Sequence, residues 1–324
     1  MDYKEIIGHE KNIESLKRLV QNGTISHSFL FEGEEGLGKK MTAEAFGKTL
    51  LCEEQKQEPC NRCSSCIKFD RGNHPDFRLL EPKKGLIKKG DIEALIKDVA
   101  MAPFESKRKD FIINDCHKMN REAMNSLLKT LEEPPEYVVI ILITSNANSL
   151  LPTILSRAMS IKFYPIEVAK VVDYLVNNYD KSKDEARFIA EFTKGSIGKS
   201  IELSTSNEFF LKRDEVIDIV DDLVKGNKVR AFDSKDFFDS NKENIDEVLD
   251  LILFWFRDLM IYKFVSDSNL IINKDKMPIL SKETFLDFQN INDIIERVEQ
   301  AKKDISRNVN FQLSIETMLL NIGG

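Results

Sequence analysis

Through the first half of the chain, short apolar runs alternate with stretches in which apolar residues recur at helical spacing. Phe29–Phe31, Phe77–Leu80, Phe111–Asn114, Val138–Thr144 and Ser160–Phe163 predict strands. The run VVIILIT at 138–144 shows no alternation with polar residues, the pattern of a strand buried on both faces of a parallel sheet. Between the runs, Ala43, Phe46, Gly47 and Leu50 follow the i, i+3, i+4, i+7 spacing of one helix face. Asp91–Met101 and Arg121–Leu131 also predict helices, the second stopped by Pro134-Pro135. Such β-α alternation predicts an α/β layer with helices on both faces of the sheet.

After Pro165 the strand signals fade. Glu167–Thr205 predicts a small helical domain in which Gly195 and Gly198 mark a turn, and from Asn207 onward the pattern is one of long amphipathic helices. Over Ile245–Phe264, Val248, Leu251, Ile252, Trp255, Leu259 and Tyr262 form one stripe, read as helical core or oligomer contact. Internal repeats and low-complexity tracts are absent from the sequence.

Charge narrows the function classes. With 47 basic and 54 acidic residues the formal net charge is −7, which argues against nucleic-acid binding through bulk charge. The opening residues do not read as a signal peptide, and no apolar run approaches the ~18 residues of a membrane span. The longest candidate, 249–260, is interrupted by Asp250, Arg257 and Asp258. The expectation is a cytoplasmic chain of two or three domains with no membrane partner.

Four of the five cysteines, Cys52, Cys60, Cys63 and Cys66, fall within fifteen residues. Two C-x2-C steps sharing Cys63 can converge four thiolates on a tetrahedral ion at about 2.3 Å. A reducing cytosol disfavours disulfides here. A chance group of buried thiols and a redox pair are the rival readings, and His74 is a rival ligand unless it only packs before Pro75. The expectation is a closed, structural Zn²⁺ site inserted after the first helix of the sheet domain.

At 29–46 the chain reads FLFEGEEGLGKKMTAEAF, where Gly33, Gly38 and Lys39 fit the phosphate-loop pattern G-x-x-x-x-G-K-[ST] up to its last position. Gly36 and Gly38 let amide N–H groups turn toward a phosphate ahead of a helix, and Lys39 can reach one. Lys40 replaces the hydroxyl that should hold Mg²⁺. The second metal-handling position, an aspartate closing an apolar strand, is Asn114 in FIINDCHKMN, followed by Asp115. Asparagine lacks the charge of a good Mg²⁺ ligand, and Asp115 is shorter than the usual glutamate base. Productive ATP binding is therefore not expected. His117 is read as packing beside the sheet.

Together with IIGHEKNIESLKRLV, HPDFRLLEP, NSLLKTLEEPP and LLPTILSRAMSIKF, these stretches resemble the AAA+ clamp-loader subunits of bacterial DNA polymerase III, and most closely the delta-prime class. The resemblance covers the N-terminal two-thirds, and its most specific part is LLKTLEEPP followed by LLPTILSR. It implies a RecA-like AAA+ domain with a parallel sheet over 1–165 carrying the cysteine insertion at 52–66. A small all-α lid over 166–206 and an all-α collar over 207–324 would follow. Motor subunits of the family carry intact nucleotide motifs and present a lid arginine to the nucleotide, where this chain has Gly198 beside Lys199. The family's S-R-C motif appears as Ser156-Arg157-Ala158, and the resemblance makes Arg157 a finger acting in trans on ATP held by a neighbour. Taken alone, Arg157 reads as a surface arginine at a loop end. The resemblance further implies a rigid stator in a ring of five with gamma/tau-type motor and delta subunits, which opens the sliding clamp and places it on primed DNA. Two rivals follow from the same residues: an ATP-hydrolysing motor relying on Lys39 and Asp115, and a free-standing zinc-dependent nucleic-acid binder.

Overall fold

The computed structural model describes residues 2–265, 267 and 270–322. Five strands, β1 (Ser28–Glu32), β2 (Phe77–Leu80), β3 (Lys109–Ile113), β4 (Val138–Thr144) and β5 (Met159–Lys162), form one parallel sheet in the order β2-β3-β4-β1-β5. Between and around them run α1 (Glu10–Asn22), α2 (Lys39–Leu51), α3 (Ser64–Asp70), α4 (Lys89–Val99), α5 (Arg121–Glu132) and α6 (Pro152–Leu155). Burial follows strand position. The central β3 and β4 are buried at every residue, whereas β5 at the edge buries only Ile161.

Side chains alternate across the pleat, so each central strand feeds two cores. Leu30, Phe111, Ile113, Val138, Ile140 and Leu142 pack on one face with Ile92 and Leu95 of α4 and Leu127 and Leu131 of α5. Phe29, Phe31, Ile112, Val139, Ile141 and Ile143 pack on the other with Leu16 of α1 and Phe46 and Leu50 of α2. The expected α/β layer with helices on both faces is present. Its register pairs Glu32 with both Thr144 and Lys162, so the carboxyl ends of β1, β4 and β5 lie level. In open parallel sheets that edge is where ligands sit.

One strand begins earlier than its apolar run. β3 starts at Lys109 and Asp110, which are 5% and 1% exposed, rather than at Phe111. The Lys109 ammonium is neutralised by the Asp98 carboxylate at 2.7 Å, which lets a charged residue enter the sheet. β5 is shifted back by one residue relative to the expected 160–163.

No strand follows Lys162 among the described residues. Helices α7 (Val168–Asn178), α8 (Lys183–Phe192), α9 (Ile197–Thr205), α10 (Asn207–Val224), α11 (Arg230–Asp233) and α12 (Lys235–Ser240) come next. The chain closes with α13 (Ile245–Met260), α14 (Met277–Leu280), α15 (Phe288–Ser306) and α16 (Phe311–Ile322). Of the predicted stripe on α13, Val248, Leu251, Ile252, Trp255 and Leu259 are buried, and Tyr262 is half-buried in a π-helical turn over Ile261–Val265. Two compact units result: Met1–Val171 with Thr193–Ser200, and Val172–Phe192 with Ile201–Gly324. In the second, Trp255 is fully buried and donates from Nε1 to Glu283 Oε2 at 2.9 Å. Among the described residues, no helix is long and apolar enough to cross a membrane.

Candidate functional site

The glycine loop leaves β1 at Glu32 and enters α2 at Lys39, at the carboxyl edge of the sheet. Gly38 takes φ 82°, a left-handed conformation, to start the helix, and its carbonyl accepts from both the backbone N–H and the hydroxyl of Thr42 at 3.0 Å. Lys39 is 7% exposed. Its ammonium donates to the carbonyls of Gly33 at 2.6 Å and Glu34 at 2.5 Å, within its own loop. Burial holds that ammonium below the usual lysine range. Lys40, where a hydroxyl would hold Mg²⁺, is ion-paired to Glu81 at 2.7 Å.

Residues from a distant stretch close over the loop. Gly198 donates its N–H to the Gly36 carbonyl at 2.7 Å, and Ser196 Oγ donates to the Glu35 carbonyl at 3.0 Å. The approach demands glycine on both sides. A Cβ on Gly36 would stand 2.3 Å from Ser196 Oγ, and one on Gly198 would stand 2.9 Å from the Gly36 Cα. Where a motor subunit is expected to present an arginine, this chain therefore places backbone against backbone.

Beyond β3, Asn114 donates its N–H to the Leu80 carbonyl, and Asp115 sits at φ 48° with its carboxylate 3.2 Å from Lys118 Nζ. His117, in the short helical turn after β3, has its Nε2 3.4 Å from Ser145 Oγ, and burial lowers its pKa. Mg²⁺ requires a shell of hard oxygen donors. With one metal position an ion-paired lysine and the other an uncharged amide, the residues present do not fit a Mg²⁺–nucleotide.

The thiols do converge. Cys52 caps the end of α2, Cys63 caps the start of α3 and Cys66 lies in its first turn. Together with Cys60, their sulfurs all lie within 4.8 Å of one another. Tetrahedral zinc needs Zn–S near 2.3 Å, hence sulfurs roughly 3.8 Å apart, so a small contraction completes the site. Backbone N–H groups of Cys60, Cys63 and Cys66 already point at the sulfurs of Cys52, Cys60 and Cys63, at 3.4, 3.3 and 3.4 Å. Against a burial that raises it, such donors bring the Cys60 thiol down to about 7. Burial pushes Cys52 and Cys66 up, an unfavourable state for thiolates that a cation would offset. The four cysteines can hold one metal ion. His74 is not among its ligands: its Nδ1 accepts from the Asp76 N–H at 3.1 Å and its Nε2 meets Ser65 Oγ at 2.9 Å.

Arg157 follows α6 and precedes β5. Its main chain is fixed, since its N–H donates to Ile154 and its carbonyl accepts from Ser28 Oγ at 2.6 Å. Its side chain is one-third exposed, and its guanidinium forms an ion pair with Glu132, at the end of α5, at 2.7 Å. Ala158 beside it packs half-buried against the α4–α5 core. The sequence motif LLKTLEEPP contains Glu132, yet nothing in its spacing ties that residue to Arg157; likewise Glu81 and Ser196 carried no signal of their contacts.

The family model for the DNA polymerase III delta subunit matches residues 8–167, and the one for its C-terminal region matches residues 208–323. The DNA polymerase III subunit delta' of Bacillus subtilis is 33% identical over 305 residues, 93% of this chain and 92% of that protein. The tau subunit of the same organism is 27% identical over 300 residues, 85% of this chain but 53% of its own. A Thermotoga maritima RuvB mutant superposes at TM-score 0.46 with 14% identity, covering 97% of this chain and 86% of that one. With both halves of the chain matched and the delta' relative covered almost end to end, the chain belongs to the delta-prime family of DNA polymerase III subunits.

Proposed function

We propose that this chain is the stator of a clamp loader: it turns over no ATP itself and lends Arg157 to a motor subunit beside it. The observation that carries the reading is the asymmetry between its two sites. The phosphate loop keeps Lys39 but ties it to Gly33 and Glu34, and it has lost both metal-handling positions at Lys40 and Asn114. Arg157 keeps a fixed backbone and a part-exposed guanidinium. The relatives named gamma and tau suggest the motor partners. In this reading delta and motor subunits complete a ring of five in the cytoplasm, the collar at 207–324 holds it together, and the ring places the sliding clamp on primed DNA. The cysteine cluster holds a structural zinc.

An arginine supplied in trans acts as charge spreads over the transferred phosphoryl oxygens, and such fingers are worth roughly 10³–10⁵ in rate. Guanidinium stays charged at physiological pH and bridges two oxygens through its planar fork of donors, a geometry that lysine's point charge cannot imitate. Rings assembled with Arg157→Ala should form normally yet hydrolyse ATP more slowly at the adjoining motor site, with Arg157→Lys recovering little. Unchanged single-site turnover in such rings would reduce Arg157 to an ordinary loop arginine.

A further inference from the structure

The Arg157 guanidinium is engaged on its own subunit from two directions. Nη2 pairs with Glu132 Oε1 at 2.7 Å, while Nη1 donates to the Thr153 carbonyl at 2.9 Å and Ser156 Oγ at 3.2 Å. A guanidinium serves a phosphoryl group through two parallel N–H donors; with Nη1 given to Thr153 and Ser156, the edge left for a phosphoryl group is Nε with Nη2, and Nη2 is the nitrogen that Glu132 holds. Thr153 and Ser156 lie on the short turn that also carries Arg157, and they move with it. Glu132 does not: it ends α5, on a different stretch of chain.

We infer that Glu132 is a latch on Arg157, a positioning residue that holds the arginine away from the neighbouring site until the ring engages it. The inference rests on the trans-finger reading of Arg157 proposed above. The pair is part-exposed, with side chains 33% and 46% accessible. An ion pair so placed shifts an equilibrium only about 1.4- to 5-fold. That strength suits a latch. It lowers the fraction of rings with a free arginine, and a polyphosphate with its higher charge displaces it readily. When a competent state is only partly populated, the observed activity falls by that fraction. Because Glu132 terminates α5, any displacement of that helix on ring closure alters the latch directly.

The test uses rings reconstituted from the full-length chain and its motor and delta partners, with the other motor sites inactivated. ATP hydrolysis is measured without DNA or clamp. Glu132→Gln, an isosteric change at an exposed position, should raise this unstimulated rate by about 1.4- to 5-fold. The gain should shrink at high salt, where the wild-type pair is already screened. It should also vanish in the Glu132→Gln/Arg157→Ala double variant. A rate that is unchanged or lowered by Glu132→Gln while Arg157→Ala slows the site overturns the latch and leaves the finger standing. A rise that survives in the double variant overturns it too, since Glu132 then acts through another group. If Arg157→Ala alone has no effect, the finger reading fails first and the latch falls with it.

Discussion

At Lys39 the ammonium rests on the carbonyls of Gly33 and Glu34, so it has to give up two acceptors before meeting a phosphate. Without a hydroxyl at Lys40 or a carboxylate at Asn114, no Mg²⁺ rewards that exchange. In the stator reading, Lys39→Ala should therefore leave clamp loading by reconstituted rings nearly unchanged, whereas the matching change in a motor subunit should remove turnover. Loading abolished by Lys39→Ala in intact rings would restore a working nucleotide site. At Cys63 the expectation is the opposite, because in the proposed zinc site one thiolate there serves a shared ion. Structural zinc contributes roughly 10–16 kcal/mol of binding free energy in small sites, and a ligand set reduced to three thiolates loses much of it. Cys63→Ser should release zinc and speed hydrogen exchange over residues 52–70, with α13 and α15 protected as before. Metal analysis settles this: equal zinc in wild type and variant would refute a four-thiolate site.

Between elements, α2 lies on β3 through Gly47. A Cβ there would meet the Asp110 carboxylate at 2.1 Å, and Asp110 is buried with both oxygens lacking a partner among the described residues. Helix propensity favours Ala over Gly by about 1 kcal/mol. Overpacking a tight contact costs about 1–3 kcal/mol, so sterics should outweigh propensity. Gly47→Ala should lower the midpoint of urea unfolding, and adding Asp110→Ala should return part of the loss. A Gly47→Ala protein as stable as wild type would mean that the helix shifts freely on its strand. Periodicity made α2 visible in the sequence, but its glycine was read only as one position of an apolar face. Nothing local in FIINDCHKMN signals that the two preceding residues, Lys109 and Asp110, are buried. Propensity and hydropathy score them as solvent-facing, and the carboxylate and backbone carbonyl of Asp98 reverse that for Lys109.

For the molecule as a whole, stability should depend on pH through Glu283. Burial raises its carboxyl to about 8 from an ordinary 4.5, partly opposed by the Trp255 hydrogen bond and reinforced by Asp221. A folded-state pKa above the unfolded one means that the folded chain holds the extra proton. Its stabilisation is complete below pH 4.5 and is lost as pH rises toward 8. The slope is at most about 1.4 kcal/mol per pH unit. Urea unfolding from pH 5 to 9 should show this decline, and Glu283→Gln should flatten it; a decline of equal steepness in the variant would assign it elsewhere. The sequence alone determined the β-α alternation, the glycine turn with its missing hydroxyl, and the thiol cluster, because each is written within a few consecutive residues. Helical and strand periods are local, and four cysteines in fifteen residues can meet whatever the rest of the chain does. What became of each charged group was decided by the fold. Lys40 found Glu81 forty-one residues away, Gly36 met Gly198, and Arg157 met Glu132, since strand order and helix packing bring distant segments to one edge of the sheet. Such partners share no spacing rule, and only the closed backbone sets the distances at which they pair.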